Sequence, residues 1–315
     1  MRTIPKLFRG GQILIITLLT GCAGSTADNK GLVYDQLDVN FKAVVEGEPL
    51  TTDDVVAVFA TCTRGEKTDL NMSQNNPAQF VPVSSGITVN LIRQSDEDNI
   101  LTYAGDHNFK FSSFFPLSAY DGDVTSLNAS VPSVVEYSKT ERALQVAKAA
   151  KTSVVAPVDL NFQSVAANMV INVPGNILGN DVLPVLQSLE IKPYDPAEFS
   201  GMLAFDATYD LANSQLNIVE GSAKNSVKVD FGTNGLELKT GYTAVSFDVA
   251  PFTVPFGGFL VTIIDVDGNK VESEVLINDG GAIPESLQPS YVVSEPFISE
   301  SYITLSLQPP CFLAQ

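Results

Sequence analysis

Leu37-Asp38-Val39-Asn40-Phe41-Lys42-Ala43 alternates apolar and polar residues without a break. A period of two places every second side chain on one face of an extended strand, so this stretch reads as a half-buried β-strand. The same alternation returns in Thr88-Val89-Asn90-Leu91, Phe109-Lys110-Phe111, Leu160-Asn161-Phe162, Val227-Lys228-Val229-Asp230-Phe231 and Ile303-Thr304-Leu305-Ser306-Leu307. Denser apolar runs at 55–60, 169–173 and 259–264 read as central strands covered on both faces. Gly268-Asn269 falls between two strand-like runs, as a hairpin turn does. Helical patterning is confined to Thr140–Lys151 and Asp181–Leu189, both short. Many short strands with frequent turns and no blade-length repeat predict an all-β sandwich architecture.

The first residues carry a different signal. Arg2, Lys6 and Arg9 precede the apolar run Ile13–Leu19, which leads into Leu19-Thr20-Gly21-Cys22. A basic region, a short apolar region and small residues before a cysteine make a secretory signal of the lipoprotein kind. Its cysteine sulfur receives diacylglycerol and its freed amine a further acyl chain such as palmitate. Residues 1–21 are then the signal peptide, Cys22 the lipidated first residue of the mature chain, and 22–30 a small, polar tether. The apolar run falls well short of the roughly 20 residues a spanning helix needs.

Removal of residues 1–21 takes away three basic residues and no acidic one, leaving 15 Lys and Arg against 36 Asp and Glu, a net charge of −21. That surface repels nucleic acid and anionic headgroups, so neither is expected as a partner. A 44% hydrophobic content supports sizeable cores. The polar, Ala-rich region 138–151 suggests a boundary, giving an N-terminal domain over 31–150 and a C-terminal one over 151–315. Cys62 and Cys311 can pair in an exported protein, or can both remain small, buried and reduced.

Three blocks resemble the fimbrillin family, the lipoprotein pilins and pilus-associated proteins of the Bacteroidales type V system. Asp54-Val-Val-Ala-Val-Phe-Ala60 resembles an early family strand, and Asn108–Tyr120 is similar to its aromatic block. Val158–Val173 resembles the strand that follows the inter-domain segment, with Ser164 where the family often has histidine. The resemblance implies two transthyretin-like β-sandwich domains and a structural fimbrial (pilus) subunit or pilus-associated lipoprotein. Such a protein sits lipid-anchored and surface-exposed at the cell outer membrane, or in the fimbrium, and contributes to cell adhesion and biofilm.

In the family's pilins an N-terminal strand is removed by a protease that cuts after a basic residue, and a neighbour's strand fills the groove. Carried to this chain, Leu37, Val39, Phe41 and Ala43 are the plugs of the removable strand, and Ile303, Leu305 and Leu307 belong to the donor strand. The partners are other pilin subunits, in a homo- or hetero-polymer. The chain departs from the pattern in having no Arg between Val44 and Asp54; the nearest basic residues are Lys42 and Arg64. The alternative reading is a monomeric outer-membrane lipoprotein that binds polysaccharide or a host ligand.

Catalytic patterns are thin. His107, the only histidine, sits in a turn-like Gly105-Asp106-His107-Asn108, where a surface role outweighs a triad. Asp265-Val266-Asp267-Gly268-Asn269 is rich in oxygen ligands, but its glycine comes too early for an EF-hand and no glutamate closes the loop. Asp96-Glu97-Asp98 and Asp121-Gly122-Asp123 read as solvated acids. Phe114, Phe115 and Tyr120 read as core rather than as a sugar platform, in a chain without tryptophan. The expectation is a non-enzymatic protein with no metal and no cofactor beyond the lipid on Cys22.

Overall fold

The structure, a computed structural model, describes residues 37–45, 49–138, 142–178, 183–197, 199, 201–252, 258–275 and 302–306. The strands run in chain order as β1 (Leu37–Asp38), β2 (Phe41–Val45), β3 (Val56–Arg64), β4 (Lys67–Asn71), β5 (Ala78–Pro82), β6 (Thr88–Arg93), β7 (Leu101–Thr102), β8 (Asp106–Phe115), β9 (Leu127–Asn128), β10 (Val134–Glu136) and β11 (Gln145–Lys151). They continue as β12 (Val158–Ser164), β13 (Ala167–Pro174), β14 (Val185–Pro193), β15 (Ala207–Asp210), β16 (Gln215–Ile218), β17 (Val227–Asp230), β18 (Leu236–Glu237), β19 (Tyr242–Val249), β20 (Phe259–Asp265), β21 (Lys270–Val275) and β22 (Tyr302–Ser306). Two single-turn 3-10 helices, Asp96–Asp98 and Leu117–Ala119, are the only helical elements among the described residues. The all-β reading holds, and the alternating and dense runs named above fall on strands, except that Leu37–Ala43 is divided between β1 and β2 at Val39 and Asn40 and that Leu307 lies outside the described residues.

The first sheet closes on itself. Its order is β4-β3-β5-β6-β2-β12-β11-β8, and β8 returns to pair with β3 over most of its length. Seven strands therefore form a ring of backbone hydrogen bonds, with β4 laid outside on β3. Every pairing in the ring is antiparallel except β2 with β12, which is parallel. The ring encloses a core that includes Phe41, Phe80, Phe111, Phe115, Leu160 and Phe162.

A second core lies between the sheet β10-β17-β14-β20-β21 and the three-stranded sheet β19-β13-β22, and is built from Met169, Ile171, Leu189, Val229, Phe247 and Ile263 among others. A third packs the small sheet β16-β15-β9 against the outer face of the ring. There Tyr209, Leu127 and Phe205 meet Ala57, Phe114 and Val146. Ala57 and Phe114 point away from the ring core yet are fully buried. The dense run Val55–Ala60 is thereby explained: β3 has apolar neighbours on both faces. Four pairings cross residue 151, where the sequence suggests a boundary. β9 and β10 pair with the later β15 and β17, while β12 belongs to the ring.

Both helical expectations are overturned. Gln145–Lys151 is β11, paired along its whole length with β8, and Val185–Pro193 is an interior strand between β17 and β20. Alanine and lysine favour a helix only weakly, by tenths of a kcal/mol per residue, and the ladder hydrogen bonds and burial offered by the neighbouring strands override that preference. The hairpin expected at Gly268 is present between β20 and β21, with Gly268 in the left-handed region at φ +85. Buried Asp265 accepts hydrogen bonds from the backbone N–H groups of Asp267 and Asn269 and from the Asn269 side chain, so its oxygens serve the turn.

Phe41 is the ring's central plug. It is 1% exposed and meets Phe80 and Phe111 edge-on at centroid distances of 5.1 and 5.3 Å. Phe41→Ala is expected to destabilise the protein by about 3–5 kcal/mol, read as a drop in the urea midpoint. A loss under 1 kcal/mol would show that the ring does not depend on this side chain.

Candidate functional site

The predicted removable strand is an interior member of the ring. On one side β2 pairs antiparallel with β6, matching Phe41 with Leu91 and Ala43 with Val89. On the other it runs parallel to β12, matching Phe41 with Val158, Ala43 with Leu160 and Val45 with Phe162. Val39, Phe41, Ala43 and Val45 are buried, while Lys42 and Val44 are half-buried on the opposite face. Leu37 departs from the expectation. It is 53% exposed, because β1 leaves the ring to pair with β7.

The stretch from Arg93 to Thr102 brackets this N-terminal segment. The Val39 N–H donates to the Ile100 carbonyl at 3.0 Å. The Arg93 guanidinium reaches Asp38 at 3.5 Å and Asp96 at 3.2 Å and also donates to Asn99. These ion pairs are exposed and each contributes little. Asp98 holds the bracket itself. Its carboxylate is 2% exposed and accepts from Ser95 N and Oγ, Asn75 Nδ2 and Gln79 N, at 2.7–3.0 Å. Burial acts to raise its pKa, but the hydrogen bonds from Asn75, Ser95 and Gln79 outweigh that and hold it below the usual range. The reading of Asp98 as a solvated acid is corrected. The available signal was Ser95 three residues ahead, the spacing of a capping turn.

The first basic residue beyond β2 is also tied down. Arg64 makes a two-pronged ion pair with Asp106 at 2.5 and 3.1 Å and lies over the Tyr103 ring at 4.7 Å. Burial would raise the Asp106 carboxyl, yet the Arg64 contact and the Tyr103 N–H keep it low. Cys62 is buried beside this pair; burial first, and then Asp106, push its thiol up, away from a reactive thiolate. Cys22 and Cys311, and with Cys311 the proposed pairing to Cys62, lie outside the described residues.

The predicted donor strand is β22. It pairs parallel with β13, setting Ile303 opposite Met169 and Leu305 opposite Ile171; Leu307 lies outside the described residues. β12 and β13 follow one another in the chain with only Val165 and Ala166 between them. Each therefore carries, on a parallel flank, a strand from a remote part of the chain: β2 on β12 and β22 on β13. Their other flanks are antiparallel, to β11 and β19. This duplication was not read from the sequence, although Val158-x-Leu160-x-Phe162 and Met169-x-Ile171-x-Val173 are its trace.

Elsewhere, Phe114 and Phe115 are fully buried, and Tyr120 is half-buried against Phe59 and Phe114. His107 is exposed at the start of β8. A cavity of about 110 Å³ is lined by Ser118, Asn128, Arg142 and Asp248 among others. It is well under the roughly 300 Å³ at which small-molecule pockets begin. Arg142 is already paired with Asp54 at 3.4 Å and donates to the Pro49 carbonyl. Among the described residues no three His, Cys, Asp or Glu side chains converge as metal ligands, and no helix is long and apolar enough to cross a membrane.

No family model and no curated protein sequence matches the chain. Solved structures do resemble it. One, from Bacteroides uniformis and provisionally assigned to cell adhesion, is 14% identical, with 86% of this chain and 96% of that chain covered at a TM-score of 0.51. Another with the same provisional assignment, from Bacteroides ovatus, is 12% identical, with 76% and 86% covered at a TM-score of 0.50. At this identity the likeness establishes the fold.

Because Asp98 has a lowered folded pKa, its contribution is present above about pH 4 and is lost as pH falls through the lowered value. Asp98→Asn should cost about 1–3 kcal/mol at pH 7. The gap to wild type should close in acid, and urea titrations from pH 7 down to 2 check this. A gap constant over that range would rule out ionised Asp98 as its source.

Proposed function

We propose that this chain is a surface lipoprotein of the fimbrillin kind, a pilus subunit or pilus-associated protein that joins its neighbours by strand exchange and so contributes to cell adhesion. The observation that carries the reading is β2, an apolar strand held inside a closed ring and parallel to β12. Apart from β4 and the stretches of β11 and β12 beyond their two-residue junction, the ring strands are paired on both sides, so the place where a strand from outside gains two ladders and a core is the one β2 vacates. β2 is the first ring strand in chain order, and a single break after Val45 detaches it from the rest. The vacated slot offers main-chain hydrogen bonds on both sides and pockets for alternate side chains, the two components of strand addition. On the same reading the C-terminal stretch with Ile303, Leu305 and Leu307, of which Tyr302–Ser306 form β22 parallel to β13, is the strand given to a neighbour. The likeness in fold to proteins provisionally assigned to cell adhesion supports this, as do the three sequence blocks.

Lipid on Cys22 would hold the protein at the outer membrane. The contacts argue against a break after β2 by a protease specific for basic residues acting on the folded chain: Lys42 is inside the β2 ladder and Arg64 is ion-paired. Cutting at a different residue type, or retention of β2 by an end subunit that only donates, fits these contacts. A monomer that binds polysaccharide or a host ligand has less support, since Phe114 and Phe115 are internal and the cavity beside Arg142 is small.

Truncation before Tyr302 in the producing cells should leave Cys22 lipidated and the protein at the surface, but absent from sheared fibres. Fibres that retain the truncated chain would overturn the donor role of β22. If the full-length chain never enters fibres, the ligand-binding monomer becomes the better reading.

A further inference from the structure

The slot that β2 fills is not shaped for this chain's own C-terminal strand. Resting on the strand-exchange reading above, we infer that the ring accepts a strand from a different protein, one whose inward residues follow the order aromatic, small, β-branched at alternate positions. The constraint comes from Ala43. It is completely buried, flanked at its own level by Val89 on β6 and Leu160 on β12, themselves buried in the same core. One step before it the slot opens into a large pocket, where Phe41 lies against Phe80 and Phe111. One step after it Val45 stands beside Phe162. The slot is wide, then narrow, then of medium width.

The C-terminal strand has the wrong sizes. With its apolar face inward, each register that fills the narrow place from Tyr302–Leu307 puts Ile303, Leu305 or Leu307 where Ala43 has a single methyl. Adding three carbons to a close-packed site forces side chains off their rotamers or displaces backbone. The wide pocket then receives Ser301, Ile303 or Leu305 and is left partly empty. A shift by one residue turns Tyr302, Thr304 and Ser306 inward instead, setting hydroxyls in an apolar core. On β13 the same strand lies at a sheet edge, with a single described flanking strand. The ring's partner is therefore heterotypic, and Ala43 marks the position that selects it.

The test uses the mature chain with Cys22→Ser and a sequence-specific protease site in place of residues 46–48, cut after folding so that β2 remains bound without a covalent link. Labelled peptides then compete for the slot. A peptide of residues 37–45 should exchange in, and its Ala43→Leu version should bind between about fivefold and about a hundredfold more weakly. A peptide of residues 300–308 should bind at least about tenfold more weakly than the 37–45 peptide. The same peptide with Ile303→Phe and Leu305→Ala should recover most of that loss. Equal binding of the unaltered 300–308 peptide would overturn the heterotypic assignment while leaving strand exchange intact. Failure of every peptide, the chain's own β2 sequence included, would overturn strand exchange itself.

Discussion

The parallel pairing of β2 with β12 is the contact on which the first half of the protein depends. Without it the ring opens between β6 and β12, and two strands that are interior in the native fold become edges with unpaired N–H and carbonyl groups. The loss is larger than a row of hydrogen bonds, because β2 also places Phe41, Ala43 and Val45 in the ring core. Removing them exposes Phe80 and Phe111 to water. A ring missing this member is a template for any extended strand with suitable side chains. The same physics that makes the closed state stable makes the open state a binding site.

The ring is also held from outside. β3, β8 and β11 carry apolar residues on both faces, the inner set packed around Phe41 and the outer set covered by the small sheet β16-β15-β9. Ala57 and Phe114 belong to the outer set, while Val58 and Phe111, one or a few residues away on the same strands, belong to the inner one. Clamped in this way, these strands cannot rotate or slip by one residue without driving a full set of apolar side chains into the wrong layer. The slot's dimensions are consequently fixed by neighbours buried on two sides, a condition for selecting partners by side-chain size.

Strand existence was legible because burial on one face writes a period of two into the chain, and the runs at Phe41, Val89, Phe111, Leu160 and Val229 all obeyed it. The two helical misreadings have a common origin: Gln145–Lys151 and the stretch before Pro193 contain residues with no strong objection to strands, and periodicity over so few residues does not outvote the ladders on either side. Neighbour relations were less legible. β2 meets β12 across more than a hundred residues of sequence and β22 meets β13 across more than a hundred more. Nothing in a period of two chooses between partners that are equally apolar. Leu37 shows the limit within the site: it continues the alternation of Val39 and Phe41, but the chain turns away to β7 one step earlier than the pattern implies. Asp98 shows the converse, an acidic residue whose burial depends on four donors brought together by folding.

The two parallel strands are alike in direction and pattern but not in how firmly they are held. β2 has hydrogen-bonded neighbours on both sides and a large aromatic plug, so its exchange requires breaking two ladders and emptying the Phe41 pocket. β22 has one described neighbour, over five residues, at the edge of a three-stranded sheet. Opening free energies within a protein span a range, and short edge elements lie at its low end. The strand that can leave its seat at small cost is therefore the C-terminal one, and the slot that would hold an incoming strand most firmly is the N-terminal one. On the strand-exchange proposal, a chain with that asymmetry would give its C-terminal strand easily and accept a partner's strand tightly, and this would set the direction in which subunits are linked.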